Sequence, residues 1–171
     1  MEDLRIYLPP RTVERFRKIS MERFGYGRGS LSKAAGVAIT RWLEETHYID
    51  ENLLRISNLA RKDKNILAVL LYGSFSRGED SFEDVDVSIL LNVDKVNSPK
   101  FLSEYEDEKG MFDLTILNRL PLNIQKDVFR DGKVVYCSNE EKLYKYAIGK
   151  ARKWTEFKPR FQRIVKERNL V

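Results

Sequence analysis

The sequence predicts an α+β protein made of two modules, and three hydrophobic patterns carry this prediction. Residues 3–8 alternate apolar and polar side chains, as a half-buried strand does, and apolar residues at helical spacing follow them. Residues 66–72 form a continuous apolar run, which is typical of a strand covered on both faces. Residues 84–91 alternate again. We therefore expect strands and helices in both modules.

The composition is that of a globular chain, and it excludes several classes of protein. Apolar residues make up 42% of the 171 residues and charged residues 33%. The longest apolar run, Ile66–Tyr72, is far shorter than the ~20 residues of a membrane-spanning helix. Cys137 is the one cysteine and His47 the one histidine, which argues against disulfides, zinc cages and Cys–His catalysis. The first residues lack the apolar segment of a secretion signal, so we expect a cytoplasmic protein.

The net charge of +5 is unevenly distributed along the chain. Residues 1–46 carry nine basic and six acidic residues, and residues 149–171 carry eight and two. Residues 47–148 carry fourteen basic and eighteen acidic residues. This pattern predicts anion-binding ends around an acidic centre that could hold cations. The alternative for the basic C-terminal segment is a solvated helix face.

The first module, residues 1–46, reads as one strand followed by two helices. Pro9-Pro10 ends the strand and opens the first helix, and a glycine-rich turn over residues 25–29 ends it. Ser30 and Ser32 are both candidates to cap the second helix. A module of this size is too small to bury an adequate core, so we expect its strand to pair with that of a second chain.

Three segments of this module resemble a ribbon-helix-helix DNA-binding domain: Leu-Arg-Ile-Tyr-Leu-Pro, Ser-Leu-Ser-Lys and Ala-Ile-Thr-Arg-Trp-Leu. The resemblance implies a homodimer whose paired strands enter the major groove of DNA. It places Arg5 and Tyr7 on base edges, and Ser30 and Lys33 at a helix start that contacts a phosphate.

Two residues depart from the ribbon-helix-helix pattern. Asp3 is an acid on the surface that would face DNA, and Tyr7 is bulkier than the usual small polar residue at that position. The alternative interpretation is a dimerisation module that does not bind DNA. Contacts to the DNA backbone need only a basic face, which favours DNA binding.

The second module, residues 47–171, begins after a polar stretch near residues 45–51. Its predicted elements are a helix over 50–64, a strand over 66–72, a strand over 84–91, a strand over 112–117, a helix over 121–130, a strand over 133–136 and a long final helix. Ser138 or Asn139 is expected to cap the final helix, and Pro159 to kink it.

Acidic residues are crowded between the first two of these strands. Asp84 and Asp86 lie two residues apart on one strand face, about 6.6 Å by strand rise. Glu79, Asp80 and Glu83 add three more carboxylates within the same eight residues. Carboxylates this close raise one another's pKa or require a cation. Hard oxygen ligands without histidine or cysteine select Mg²⁺ or Mn²⁺.

The turn after residues 66–72 has the features of a phosphate-binding loop. Gly73 lets the backbone approach an anion closely, and Ser74 adds a hydroxyl at a helix start. Arg77 could bind further phosphate oxygens with two hydrogen bonds. Its alternative role is a surface ion pair with Glu79 or Glu83.

The order Leu-Tyr-Gly-Ser, nine residues, then Asp-Val-Asp-Val resembles the signature of the DNA polymerase β-like nucleotidyltransferase superfamily. Residues 50–160 resemble its minimal branch, with matches at Ser-Arg-Gly-Glu, Phe-Asp-Leu and Val-Phe-Arg-Asp-Gly-Lys-Val-Val-Tyr. The resemblance implies a mixed β-sheet flanked by helices. The spacing from Gly-Ser to the first Asp is one residue shorter than is common in that branch, which affects loop detail rather than the site.

The resemblance also assigns roles to residues. Asp84 and Asp86 would be ligands of Mg²⁺ or Mn²⁺, and Asp113 a third carboxylate that binds one metal and helps deprotonate the acceptor hydroxyl. Gly73 and Ser74 would hold the phosphates of an NTP, with ATP the expected substrate, and Arg77 would assist them. The alternatives are a solvated strand end for Asp84 and Asp86, and a strand-edge acid without a ligand role for Asp113.

The resemblance implies a metal-dependent transfer of a nucleoside monophosphate, AMP in the leading case, to a hydroxyl acceptor. Minimal nucleotidyltransferases often act as antitoxins that adenylylate a tyrosine of a HEPN-type toxin ribonuclease. A DNA-binding module would suit an antitoxin that represses its own operon. Two alternatives remain: a non-catalytic dimeric DNA-binding regulator that senses nucleotide or docks a partner, and an enzyme that modifies a small hydroxyl compound.

Overall fold

The computed structural model describes residues 5–79, 82–93 and 98–168. Within them the chain forms the following elements in order: α1 (Pro10–Phe24), α2 (Ser30–Lys62), β1 (Ile66–Leu71), α3 (Gly73–Arg77), β2 (Val85–Leu91), α4 (Ser98–Ser103), β3 (Phe112–Ile116), a 3-10 turn (Leu117–Arg119), α5 (Leu122–Asp131), β4 (Lys133–Cys137) and α6 (Glu140–Arg168). Backbone contacts divide the chain into two compact units, Met1–Asp50 and Glu51–Val171.

The first unit contains α1 and the start of α2, joined by the glycine-rich turn. Pro10 opens α1, because proline fits the first turn of a helix, and Gly25 with φ of 85° follows its end. The Ser30 hydroxyl donates hydrogen bonds to the carbonyl oxygens of Gly25 (2.5 Å) and Gly27 (2.7 Å). Ser30 therefore ties the turn to the start of α2 and does not act as the predicted capping acceptor.

The strand predicted over residues 3–8 is not formed in the described part of this single chain. Residues 5–9 belong to no strand, and Asp3 and Leu4 lie outside the described residues. A strand needs a hydrogen-bonding neighbour, and the expected neighbour belongs to a second chain.

Much of the apolar surface of the first unit is exposed to solvent. Among its described residues, Ala34 and Ile49 are the buried apolar side chains. Tyr7 is 88% exposed and Trp42 is 61% exposed, and the other large apolar residues exposed here are Ile6, Leu8, Ile19, Tyr26, Leu31, Val37, Ile39 and Leu43. Burying so little apolar surface gives the unit little hydrophobic stabilisation of its own.

The domain boundary expected near residues 45–51 lies within α2, which is a single helix of 33 residues rather than two helices with a linker. The stretch is polar, but it contains neither glycine nor proline, so nothing interrupts the helical hydrogen bonds. The Thr46 hydroxyl instead donates to the carbonyl of Trp42, one turn earlier in the same helix. The contacts nevertheless separate the two units between Asp50 and Glu51, in the middle of α2.

The second unit contains a four-stranded sheet in the order β3-β2-β1-β4. β1 is antiparallel to both β2 and β4, whereas β2 and β3 are parallel. The predicted α+β class with a mixed sheet flanked by helices is therefore confirmed. All six residues of β1 are buried, as its continuous apolar run predicts. Helix α4, which lies in the connection between the parallel strands, was not predicted.

A buried cluster of this unit joins the sheet to α5 and α6. Its buried members are Leu67, Ala68, Leu70, Leu90, Leu117 and Val128, with Tyr72, Ile124, Phe129, Leu143 and Tyr146 packed against them. Asn139 caps α6, since its Oδ1 accepts the backbone N–H of Lys142 at 2.8 Å. The cluster holds β1, and the predicted motif continues directly after this strand, at Tyr72-Gly73.

No helix within the described ranges combines the length and the hydrophobicity that crossing a lipid bilayer would require.

Candidate active site

The strand arrangement brings three acidic residues to one end of the sheet. β2 and β3 are parallel and in register, so that Asp86 lies directly beside Asp113. Asp84 precedes β2 by one residue. The backbone N–H of Tyr72 donates to the carbonyl of Asp86 at 2.9 Å, which joins the end of β1 to the same place. The structure thus collects Asp84, Asp86 and Asp113 where β1 ends and where β2 and β3 begin.

The charges of the three acids act on one another. Burial raises the pKa of the Asp86 carboxyl above its ordinary value of 3.8, and the charges of Asp84 and Asp113 raise it further. Arg77 is the cation that lowers it. Asp86 is half-buried, whereas Asp84 and Asp113 are exposed. The site is therefore a concentration of negative charge that would bind a cation favourably.

The Asp86 carboxylate also lies against Gly73. Its φ is +74°, a left-handed conformation that favours glycine. A Cβ atom at this position would lie 1.8 Å from Oδ2 of Asp86. The sequence predicts that a phosphate approaches this backbone closely. In the structure, the side chain of Asp86 occupies the space where a Cβ of residue 73 would lie. Glycine is required at residue 73 because an acid of the site lies against its backbone.

Ser74 lies beside the acids at the start of α3. Together with Phe82, Glu83 and Asp84 it lines an open cavity of about 390 Å³. The Ser74 side chain is half-buried. The cavity is a place where a polar ligand could contact Ser74 and Asp84 together.

Arg77 makes the surface ion pair that was the alternative to phosphate binding. Its Nε donates to Oε1 of Glu79 at 2.6 Å, and both side chains are about half exposed. Its charge also acts on the site, because it lowers the pKa values of Asp86 and Asp131. Glu79 is thereby paired and does not add to the acid cluster, and Asp80 lies outside the described residues.

The donor set suits a hard divalent cation, although the ligands are not preassembled. The oxygens of Asp84, Asp86 and Asp113 are the type that Mg²⁺ and Mn²⁺ prefer. In residues 5–79, 82–93 and 98–168, no three acidic, histidine or cysteine side chains are grouped closely enough to hold an ion. The three carboxylates would have to reorient to share one ion with the geometry that a metal requires.

Sequence reasoning missed a group of hydroxyls beneath the acids. The phenol oxygen of Tyr72 lies 3.4 Å from Oγ1 of Thr115, which donates to the hydroxyl of the buried Ser88 at 3.1 Å. Burial raises the pKa of the Tyr72 phenol, and the charges of Asp86, Asp113 and Asp84 raise it as well. The sequence signal was the alternation that places Ser88 two residues after Asp86, but no role was predicted for the hydroxyl of Tyr72.

The residues expected to contact DNA are in the first unit. Arg5, Tyr7 and Lys33 are exposed, whereas Ser30 is buried, with 6% exposure. The backbone N–H of Lys33 donates to the carbonyl of Gly29 at 2.9 Å, as in an ordinary helix start. Arg5, Tyr7 and Lys33 are therefore accessible to a ligand, and the Ser30 hydroxyl is already engaged within the turn.

The model of the family described as "Polymerase beta, Nucleotidyltransferase" matches residues 55–141, just over half of the chain. This chain belongs to the polymerase beta nucleotidyltransferase family. It is therefore an enzyme of the nucleotidyltransferase class, and the matched region contains Gly73 and all three site acids. A search of curated proteins finds no match.

Solved structures with the same fold are components of toxin–antitoxin systems. A toxin–antitoxin crystal structure with AMP-PNP is 17% identical to this nucleotidyltransferase, with a TM-score of 0.54, and the match covers 68% of this chain and 95% of that one. A complex of a tri-AMPylated HEPN toxin with an MNT antitoxin from Shewanella oneidensis gives 18% identity and a TM-score of 0.53, covering 69% and 96%. A further MntA–HepT toxin–antitoxin structure gives 17% and 0.52, covering 69% and 97%. At these identities the likeness establishes the fold.

Proposed function

We propose that this nucleotidyltransferase transfers AMP from ATP to a hydroxyl group of a partner protein. Asp84, Asp86 and Asp113 would hold Mg²⁺ or Mn²⁺. The observation that carries the proposal is the pairing of Asp86 with Asp113 in adjacent parallel strands, two residues after Asp84. Burial raises the pKa of Asp86, and the charges of Asp84 and Asp113 raise it further. Three acidic side chains near a half-buried serine and an open cavity are suited to binding a nucleotide together with its cations.

A bound divalent cation would neutralise phosphate oxygens and favour an ionised acceptor hydroxyl. The chain's own residues bind and orient the nucleotide: the hydroxyl of Ser74 lines the cavity, and Arg77 stands at the opposite end of α3. In the transfer, the acceptor oxygen forms a bond to the α-phosphorus, and the bond to pyrophosphate breaks. Asp113, exposed beside Asp86, is placed to accept the proton of the acceptor hydroxyl.

The proposed acceptor is a toxin of the HEPN type, encoded with this protein. The support comes from the neighbours in fold, which include a tri-AMPylated HEPN toxin in complex with its antitoxin and a toxin–antitoxin structure with AMP-PNP. A protein acceptor also fits the open, shallow cavity at the acids, which does not enclose a small acceptor molecule.

Transfer of label from [α-³²P]ATP tests the proposal. The protein is incubated with the neighbouring toxin and Mg²⁺ or Mn²⁺, and labelled toxin is detected on a gel. We expect labelling by the wild type, none by Asp84→Asn/Asp86→Asn, and full labelling by Glu108→Gln, an exposed acid outside the site. Labelled small molecules without any partner would support the small-substrate alternative. The absence of transfer to toxin or small molecules would favour the non-catalytic regulator.

The proposal includes a second role for the first unit, as a ribbon-helix-helix homodimer that binds the operator of its own operon. The exposed apolar side chains of this unit support dimerisation, because a stable fold buries such a surface. The exposed Arg5, Tyr7 and Lys33 support a role in DNA contact.

Fluorescence anisotropy with DNA from upstream of the gene tests this second role. We expect Arg5→Ala to weaken binding by about 10- to 100-fold, which corresponds to the ~1–3 kcal/mol of a base contact. Arg61→Ala, in the second unit, serves as the control and is expected to bind normally. Failure of the wild type to bind any upstream fragment at low salt would leave the first unit as a dimerisation module.

A further inference from the structure

We infer that Asp107 is a positioning residue that holds Asp113 beside Asp86. The inference rests on the proposed function for the role of Asp113. It concerns the loop from Glu104 to Met111, which leads into β3 and was not assigned any role by the sequence motifs.

The carboxylate of Asp107 accepts three backbone hydrogen bonds from the chain that follows it. Oδ2 accepts the N–H of Lys109 (3.2 Å) and of Met111 (3.0 Å), and Oδ1 accepts the N–H of Phe112 (3.0 Å). Gly110, with φ of +63°, allows the tight turn between them. Both oxygens of one side chain therefore fix the backbone up to the first residue of β3.

The residues that Asp107 fixes are those that set the register of the parallel strands. The carbonyl of Met111 accepts the N–H of Val85 at 2.8 Å, directly after Asp84. Phe112 is paired with Val85, and Asp113 with Asp86. A shift of one residue in β3 would turn Asp113 to the other face of the sheet. Asp107 thus acts on Asp113 through the backbone of Met111 and Phe112.

The start of the same loop is anchored from α2. Nη2 of Arg55 donates to the carbonyls of Tyr105 (2.8 Å) and Glu106 (2.9 Å). The Tyr105 side chain is 3% exposed and packs against the ring of Phe101, with centroids 5.2 Å apart. Arg55 therefore holds residues 105 and 106 in place. The hydrogen bonds of Asp107 then hold the start of β3 relative to these residues.

Because both oxygens of Asp107 accept hydrogen bonds, we expect that asparagine will not fully replace it. Asp107→Asn preserves the size of the side chain, but its amide nitrogen donates and cannot accept a backbone N–H. At least one of the three backbone N–H groups would lose its acceptor. The loss would free the start of β3 without removing any apolar contact from the core.

Hydrogen–deuterium exchange with kinetics tests the inference on Asp107→Asn and Asp107→Ala. The matched control is Asn139→Ala, which also removes a side-chain acceptor of a backbone N–H but lies after β4, at the opposite edge of the sheet. We expect the Asp107 variants to exchange at least tenfold faster over residues 111–116, with unchanged exchange over residues 66–71. We expect kcat for AMP transfer to fall by about 10- to 100-fold with the KM for ATP within twofold, because the acid is misplaced while the nucleotide pocket is intact. Asn139→Ala is expected to leave kcat unchanged.

Unchanged exchange over residues 111–116, or a uniform increase over the whole sheet, would overturn the inference. So would a kcat for both Asp107 variants equal to that of Asn139→Ala. If the wild type transferred no AMP, the proposed function would fail, and the exchange pattern alone would decide whether Asp107 positions β3.

Discussion

The carboxylate of Asp86 lies directly against the α-carbon of Gly73, so closely that a Cβ atom there would be 1.8 Å from Oδ2. This contact joins the two halves of the nucleotidyltransferase motif, which are separated by a dozen residues in the sequence. Gly73 follows β1, and Asp86 lies in β2, the antiparallel neighbour of β1. The glycine therefore sets the position of an acid as well as the shape of a turn.

Replacing Gly73 with alanine is expected to abolish transfer by displacing the Asp86 carboxylate. Gly78→Ala is the matched control, since Gly78 also has a positive φ, 69°, but has open space where the Cβ would lie. Both variants place alanine in the left-handed region, which costs about 1–2 kcal/mol. We expect about a 100-fold loss of label transfer for Gly73→Ala alone. Equal activity of the two variants would show that the contact with Asp86 is not needed.

Replacing Asp86 with asparagine is expected to raise thermal stability while abolishing activity. The folded-state pKa of Asp86 is raised above 3.8, so ionisation of this group disfavours the folded state. The contribution of Asp86 to stability is largest below its unfolded-state pKa, where the carboxyl is protonated in both states. It is lost as the pH rises through the folded-state pKa.

Thermal melts in EDTA from pH 4 to pH 8 measure this effect. Asp86→Asn is expected to melt a few degrees above the wild type at pH 7, and the difference is expected to shrink toward pH 4. Asp50→Asn, at an exposed position of α2, is the control and is expected to follow the wild type. A lower melting temperature for Asp86→Asn at pH 7 would contradict the electrostatic interpretation.

Gly132 is expected to be required for stability rather than for chemistry. A Cβ there would lie 2.3 Å from the carbonyl oxygen of Val128 and 3.2 Å from that of Leu71. Both are backbone atoms, so α5 and the end of β1 would have to shift apart. We expect Gly132→Ala to lower the free energy of unfolding by about 1–3 kcal/mol in urea titrations.

The control for this prediction is Gly149→Ala, in α6, where a Cβ meets no atom within 4 Å. Alanine favours a helix over glycine by up to ~1 kcal/mol, so this variant is expected to be neutral or more stable. Equal stabilities for the two alanine variants would show that the close approach at Gly132 is readily relieved.

Trp42 is expected to contribute to the dimer of the first unit. It lines a cavity of about 290 Å³ with Phe24, Ala34 and Val37 on α1 and α2. Buried tryptophans at interfaces commonly contribute 2 kcal/mol or more. We expect Trp42→Ser to weaken dimerisation by about 30-fold or more in sedimentation equilibrium. Leu54→Ser, equally exposed at 61% on the same helix, is expected to remain dimeric. A monomeric wild type, or equal effects of both substitutions, would contradict the prediction.

The local patterns of the second unit were strong enough to predict its strands and its acids. The apolar run of β1 and the alternation of β2 follow from burial, which acts on each strand separately. The helix predictions were incomplete where the sequence signal was weak. Residues 45–51 are polar but do not interrupt α2, and the short α4 was not predicted. Polarity alone does not end a helix; an interruption of its hydrogen bonds does.

By itself, the sequence identified the residues that we propose to carry the chemistry, because Gly73, Ser74, Asp84, Asp86 and Asp113 stand in the spacing of the nucleotidyltransferase motif. Only the tertiary structure decided how they meet. The parallel pairing of β2 and β3 places Asp113 beside Asp86, and Asp107 fixes that register from a loop without any motif. Such contacts depend on strand order and on backbone hydrogen bonds between distant segments. Neither produces a periodic pattern of apolar and polar residues in the sequence.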